Sequence, residues 1–389
     1  MSTPFIPLTR PDLSEDDAER VRQTVLSGWI TQGPQVQEFE EAFAAFVGAP
    51  HACAVSNCTA ALHLALLAMG VGPGDEVITA SHSFIATANA IRYCQAVPVF
   101  ADIDPLTYNL DPADVEAAVG PKTRAILCVH QIGMPCDLAG LREIADRHGL
   151  ALIEDAACAV GSEIRWQGKW DPIGRPHGDI ACFSFHPRKI LTTGEGGMLT
   201  TRDKAIDQRL RLLRQHGMSV NDLARHAGRQ IVFESYEETG FNYRMTDIQA
   251  ALGPPQVERL PATVARRREI AGIYRDLLQG LVDVEAPYEP EWARSNWQSY
   301  CVRLNPAFDQ RAVMQAMLDD GIATRRAIMC AHREPPYAGE KSRPLPQSEQ
   351  AQDHCILLPL FGGLTTEDQD RIVRSLAKAR DTARSHSRR

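Results

Sequence analysis

Seven short apolar runs recur between residues 51 and 201, and they limit this chain more than any other feature. They are "ACAVS" (52–56), "EVITAS" (76–81), "VPVFADI" (97–103), "AILCVH" (125–130), "ALIEDAA" (151–157), "IACFSF" (180–185) and "GMLTT" (197–201). Most are separated by stretches of helical character such as "TAALHLALLAMG" and "LAGLREIADRHG". Short, continuously apolar strands alternating with helices build a mostly parallel sheet covered on both faces, an α/β fold. Ligands of such sheets bind beyond the carboxyl ends of the strands, so the residues that follow each run are the ones to inspect.

The flanks fit the same plan. Residues 14–27 read as a helix capped by Ser14, with acids in the first turn and Gly28 after the end. Residues 35–48 place Val36, Phe39, Phe43 and Phe46 at helical spacing. Beyond residue 254 come a long helical stretch, a polar break "APYEPEWARSN" (286–296), a strand-like "SYCVRL" and a last helix capped at Thr365. The expected division is therefore 1–254, an N-terminal arm and large domain, and 255–389, a smaller C-terminal domain.

Composition narrows the function. The 389 residues carry a net charge of −8, which argues against nucleic acid as a partner, since a duplex binder needs a basic face. None of the ten cysteines forms a C-x-x-C pair, so no zinc ribbon is expected, and those inside apolar runs read as buried thiols of a reducing compartment. The N-terminal stretch lacks the basic and apolar regions of a signal peptide, and no apolar run is long enough to span a membrane. A cytoplasmic protein with no membrane partner is the expectation.

The strand ends carry chemistry. After the first run, Thr59 and Ala60 open a helix whose free amides suit a phosphate. After the second, Phe84 is placed to stack on a flat ring. After the fifth come Glu154 and Asp155; strand alternation lets only one face the cleft, where a carboxylate could hold a protonated ring nitrogen. After the sixth, Ser184 could donate to phosphate and Lys189 follows on a Gly-rich turn, where desolvation would ease loss of its proton. Each has an ordinary structural reading by itself. Together they are the parts that pyridoxal 5'-phosphate (PLP) requires: an amine, a carboxylate for the pyridine nitrogen and a phosphate cup.

Four segments carry a resemblance over nearly the whole chain: "GWITQGPQVQEFEEAFAAFVGA", "SNCTAALHLAL", "FSFHPRKILTTGEGGMLTT" and "GFNYRMTDIQAALG". In them the chain resembles the DegT/DnrJ/EryC1/StrS family of PLP-dependent sugar aminotransferases, members of the fold-type I class. The resemblance implies a seven-stranded sheet sandwiched by helices and a small C-terminal α+β domain. It implies that Lys189 forms the Schiff base with PLP and moves the proton, that Asp155 pairs with the ring nitrogen and that Phe84 stacks on the ring. Thr59, Ala60 and Ser184 would hold the phosphate, and Asn242 would reach it from the other subunit of a homodimer. Thr31, His186 and Arg244 are implied on the substrate side. One position departs from the family pattern: three residues after the aspartate, where His or Gln is common, stands Cys158, a weaker donor to the cofactor's phenolic oxygen.

The activity so implied is transfer of an amino group from L-glutamate to a keto sugar linked to a nucleotide, or to a keto-cyclitol. Two further readings stand beside it. A sugar dehydratase of the same family would carry His in place of Lys189, and a PLP-binding regulator without turnover would need a DNA-binding motif that this sequence does not display. Arg325, Arg326 and His332 of "GIATRRAIMCAHREPPY" (321–337) could grip a diphosphate, or could be solvated charge.

Overall fold

In a computed structural model, which describes residues 4–220, 233–339 and 343–386, all seven apolar runs become strands of one sheet. They are β1 (His51–Val55), β2 (Glu76–Ala80), β3 (Val97–Ala101), β4 (Thr123–Val129), β5 (Ala151–Asp155), β8 (Ile180–Ser184) and β9 (Gly197–Thr201). A hairpin of β6 (Glu163–Trp166) and β7 (Lys169–Pro172) intervenes after β5. The sheet order is β1-β9-β8-β5-β4-β2-β3, and only β9 runs antiparallel to its neighbours. The cause is the connection: residues 185–196 return from β8 without a crossover helix, and a parallel return would need one.

Local signals fix the surrounding helices. Ser14 caps Glu15–Ser27 in a capping box with Asp17, and Gly28 ends it in the left-handed conformation. The helix Pro34–Val47 buries Phe39 and Phe43 against Phe183 and Phe185, with ring centroids 4.9–5.5 Å apart. Those two rings flank Ser184, so strand alternation sends the serine to the opposite side, toward the carboxyl-end cleft. The start of Pro34–Val47 is held by Asp247, whose carboxylate accepts from the amides of Gly33, Gln35 and Val36 at 2.7, 3.1 and 3.1 Å.

The C-terminal part begins with the helix Gly253–Leu278. A four-stranded antiparallel sheet follows, in the order β10-β12-β14-β13: β10 (Val284–Glu285), β12 (Tyr300–Leu304), β13 (Arg325–Arg326) and β14 (Cys355–Leu358). The helices Gln310–Asp319 and Thr366–His386 pack with it around a second core that includes Tyr274, Tyr300, Val302 and Leu376. Ile6 joins this core and bridges Ile322, so the N-terminal arm is tied to the C-terminal sheet. Another short strand, β11 (Ala293–Arg294), pairs instead with β6, so that β11, β6 and β7 form a separate three-stranded sheet. No described helix is long and apolar enough to cross a membrane.

Candidate active site

The strand ends converge on a cavity of about 790 Å³ whose wall includes Thr59, Ala60, Phe84, Asp155, Cys158, Ser184, His186, Lys189, Arg325 and Arg326. The helix Cys58–Ala68 points its start into it. Asn57 is the cap, its Oδ1 accepting from the Ala60 amide at 2.9 Å, which leaves the Cys58 and Thr59 amides without a partner inside the helix. The Asn57–Cys58 turn can lie this close to β9 because residue 197 is glycine: a Cβ there would fall 2.6 Å from the Asn57 backbone.

Strand alternation separates the two acids of β5. Glu154 faces away, fully buried, bonded to His130 Nε2 at 3.0 Å and to the Gly178 amide at 2.6 Å. Asp155 faces the cavity, 5% exposed, and accepts from Thr87 Oγ1 at 2.9 Å and the Ala157 amide at 3.2 Å. Burial holds its carboxyl above the ordinary carboxylate range, against the bonds from Thr87 and Ala157 and the charge of Lys189. A cationic partner in the cavity would reverse that direction. Thr87, itself bonded to Ser83 Oγ at 2.8 Å, is a site residue the sequence reading missed. Its signal is position: it stands on the first turn of the helix that follows β2.

Lys189 lies on the β8–β9 connection, in a turn closed by its amide donating to the His186 carbonyl at 2.8 Å. Its Nζ donates to Cys158 Sγ at 2.9 Å. Burial works to lower the ammonium, but Cys158, Cys58 and Asp155 outweigh it and hold the group above its ordinary range. This differs from the expectation drawn from desolvation alone. The reason is the thiol, which lies 31 residues away in the sequence and beside the amine in space.

The remaining candidates divide. Phe84, 58% exposed, is a large apolar ring on the cavity wall. His186 is on the same wall, and burial lowers its imidazole below its usual range. Thr31, Asn242, Arg244 and His332 are not on the wall of their own chain's cavity. Thr31 and Asn242 are exposed, and the Thr31 carbonyl accepts from the Asp247 amide. His332 is engaged elsewhere, with Ser81 Oγ at 2.6 Å and Glu349 Oε1 at 3.1 Å. Among the described residues no cluster of acids, histidines and cysteines suits a metal ion.

The cavity fits PLP by its donors. It offers an amine, a buried carboxylate with no ion pair among the described residues, helix-start amides and the Ser184 hydroxyl on the same wall, and an exposed aromatic ring for one face of a flat ligand. Known proteins agree with the geometry. The chain is 40% identical over 387 residues to the spore coat polysaccharide biosynthesis protein SpsC of Bacillus subtilis (strain 168), covering 97% of this chain and 98% of the relative. It is 41% identical over 377 residues to the GDP-perosamine synthase of Caulobacter vibrioides, covering 96% and 98%. The structure of the putative sugar aminotransferase Spr1654 from Streptococcus pneumoniae in its PMP-form superimposes with a TM-score of 0.90 at 27% identity, over 98% of this chain and 100% of that one. A family profile matches residues 11–377, and with it the chain belongs to the DegT/DnrJ/EryC1/StrS aminotransferase family.

Proposed function

We propose that this chain moves an amino group from L-glutamate to a keto sugar carried on a nucleoside diphosphate, with PLP bound in the cavity. The observation that carries the reading is the convergence of Lys189 and Asp155 on one cavity, with the start of Cys58–Ala68 as its anion site. Bound there, PLP supplies an electron sink that lets an amino group pass between two carbons. Asp155 would keep the ring nitrogen protonated, Phe84 would cover one face of the ring, and Thr59, Ala60 and Ser184 would hold the phosphate. Lys189 Nζ would link to the cofactor at rest, then take a proton from the substrate carbon and return one. Cys158 stands where its thiol would reach the cofactor's edge nearest Lys189.

The acceptor class draws support from the relative that makes GDP-perosamine and from Arg325 and Arg326, whose exposed side chains add two cations to the cavity wall. The homodimer is part of the same proposal. Asn242, Arg244 and Thr31 stand off their own cavity, and a second copy could present them to a neighbouring one. Borohydride reduction of the PLP-loaded protein, followed by peptide mapping, should place the adduct on Lys189; an adduct on another lysine would end the proposal. Incubation with L-glutamate and a panel of nucleotide-linked keto sugars and keto-cyclitols, read by mass, should give an aminated nucleotide sugar.

A further inference from the structure

Lys189 and Cys158 belong to segments far apart in the chain, and both are held by one short stretch of the C-terminal half. Asn296 Nδ2 donates to the carbonyl of Cys158 at 2.8 Å and to that of Val160 at 2.8 Å. Two residues later Gln298 takes hold on both sides of Lys189: its Nε2 donates to the Arg188 carbonyl at 2.7 Å, and its Oε1 accepts from the Ile190 amide at 3.2 Å. The pair is tied together, since the Gln298 amide donates to Asn296 Oδ1 at 2.8 Å.

The stretch is itself over-determined. Between the two stands Trp297 with φ of 52°, a left-handed conformation unfavourable for a bulky residue. Its amide donates to Ser295 Oγ at 3.0 Å, and its carbonyl accepts from Arg267 Nε at 2.9 Å. The same guanidinium donates to the Gln298 carbonyl at 2.8 Å. Asn296 is fully buried and Gln298 is 8% exposed. Even the opposite wall is cut to fit, because a Cβ at Gly133 would fall 2.0 Å from Asn296 Oδ1. A merely solvated turn has no need of such a set of bonds.

We infer that Asn296 and Gln298 are positioning residues which set the separation of Cys158 and Lys189, and so the place of the amine in the cavity. The inference rests on the reading of Lys189 as the cofactor lysine. Gln298 also lines the cavity beside Ser299, so the clasp reaches from the cavity wall to the lysine.

Gln298→Met keeps the side chain's length and removes both polar atoms; Gln298→Glu keeps the acceptor for Ile190 and removes the donor to Arg188. In the cofactor-free protein, hydrogen exchange at the Ile190 amide should accelerate about tenfold or more in Gln298→Met, with the amides of β8 and β9 unchanged. In the loaded protein, kcat per bound cofactor should fall roughly tenfold to a hundredfold, with the acceptor's KM within about threefold, as expected for a misplaced reacting group. The pH at which the cofactor's visible band changes should move, and Gln298→Glu should fall between wild type and Gln298→Met in both readouts. Unchanged exchange at Ile190, or a kcat that falls only in proportion to lost cofactor, would overturn the inference. If Gln298→Met does not fold, a wild-type band and kcat in Gln298→Glu would overturn it alone. A borohydride adduct on another lysine would instead sink the reading of the site, leaving exchange at Ile190 to judge the clasp.

Discussion

Replacing Cys158 with Ala tests what governs the proton on Lys189. Lys189 Nζ donates to Cys158 Sγ at 2.9 Å. Burial favours the neutral amine; the hydrogen bond to Cys158, helped by Cys58 and Asp155, outweighs burial and holds the ammonium above its ordinary range. A hydrogen bond to a charged group contributes about 1.5–3 kcal/mol, and about 1.4 kcal/mol is a factor of ten in an equilibrium. Deleting the thiol leaves burial with fewer opponents, so the neutral fraction at neutral pH should rise roughly tenfold to a hundredfold. Only the neutral amine adds to an aldehyde. The second-order rate of PLP uptake, followed by stopped-flow absorbance, should therefore rise by a similar factor.

A readout without the cofactor is trace acylation of the apo protein by acetic anhydride, with the Lys189 peptide quantified as pH is raised. The Cys158→Ala curve should climb at lower pH than wild type, and Cys158→Ser, which retains an acceptor, should stay near wild type. The linkage has a definite sign. A raised ammonium stabilises the fold fully below the ordinary lysine range and loses that contribution as pH rises through the folded-state range. Cys158→Ala should thus unfold at lower urea than wild type at neutral pH, with the gap closing in alkali. Equal acylation of Lys189 in the two proteins at every pH would refute the reasoning.

Three other outcomes follow from the same structure. Asp155→Ala should retain PLP through the phosphate site yet lose several orders of magnitude in turnover, because an unprotonated ring is a poor electron sink; near-normal turnover would remove Asp155 from its role. Glu40→Gln should cost about 3–5 kcal/mol, since it strips the carboxylate from buried Arg214 and half-buried Arg211; burial opposes ionisation of Glu40, but the two guanidinium groups and the Ala54 amide hold it below its ordinary range, so the loss measured by urea unfolding should be full at neutral pH and shrink in acid. Mixing inactive Lys189→Ala and Asn242→Ala chains should restore part of the activity if Asn242 serves the partner's site, because one site of each hybrid dimer then carries neither lesion; no recovery after confirmed subunit exchange would place Asn242 within its own chain.

Which of these residues could be read from the sequence depends on how each is selected. The seven runs are legible because burial on both faces demands a continuous apolar stretch, and "GMLTT" coincides with β9 to the residue. The direction of β9 is not written in β9; it follows from a connection too poor in helix to cross over. The β6–β7 hairpin escapes notice because its strands are only four residues each and carry no continuous apolar run, and β11 because its pairing with β6 spans more than a hundred residues. Lys189 and Asp155 are legible because their chemistry needs a residue type at a strand end. Thr87, Asn296 and Gln298 are not, because what selects them is a backbone or carboxylate oxygen supplied by a distant segment. The stretch holding Asn296 reads as a polar break, yet that side chain is wholly buried, its amide spent on carbonyls 138 and 136 residues away. A buried amide and a solvated one look alike in sequence, since both are hydrophilic and aperiodic; only the positions of their acceptors separate them. The protonation of Lys189 obeys the same logic. Its direction is set by the thiol that the fold brings to 2.9 Å, so reading the lysine's own neighbours in the chain yields the desolvation half of the balance and misses the half that wins.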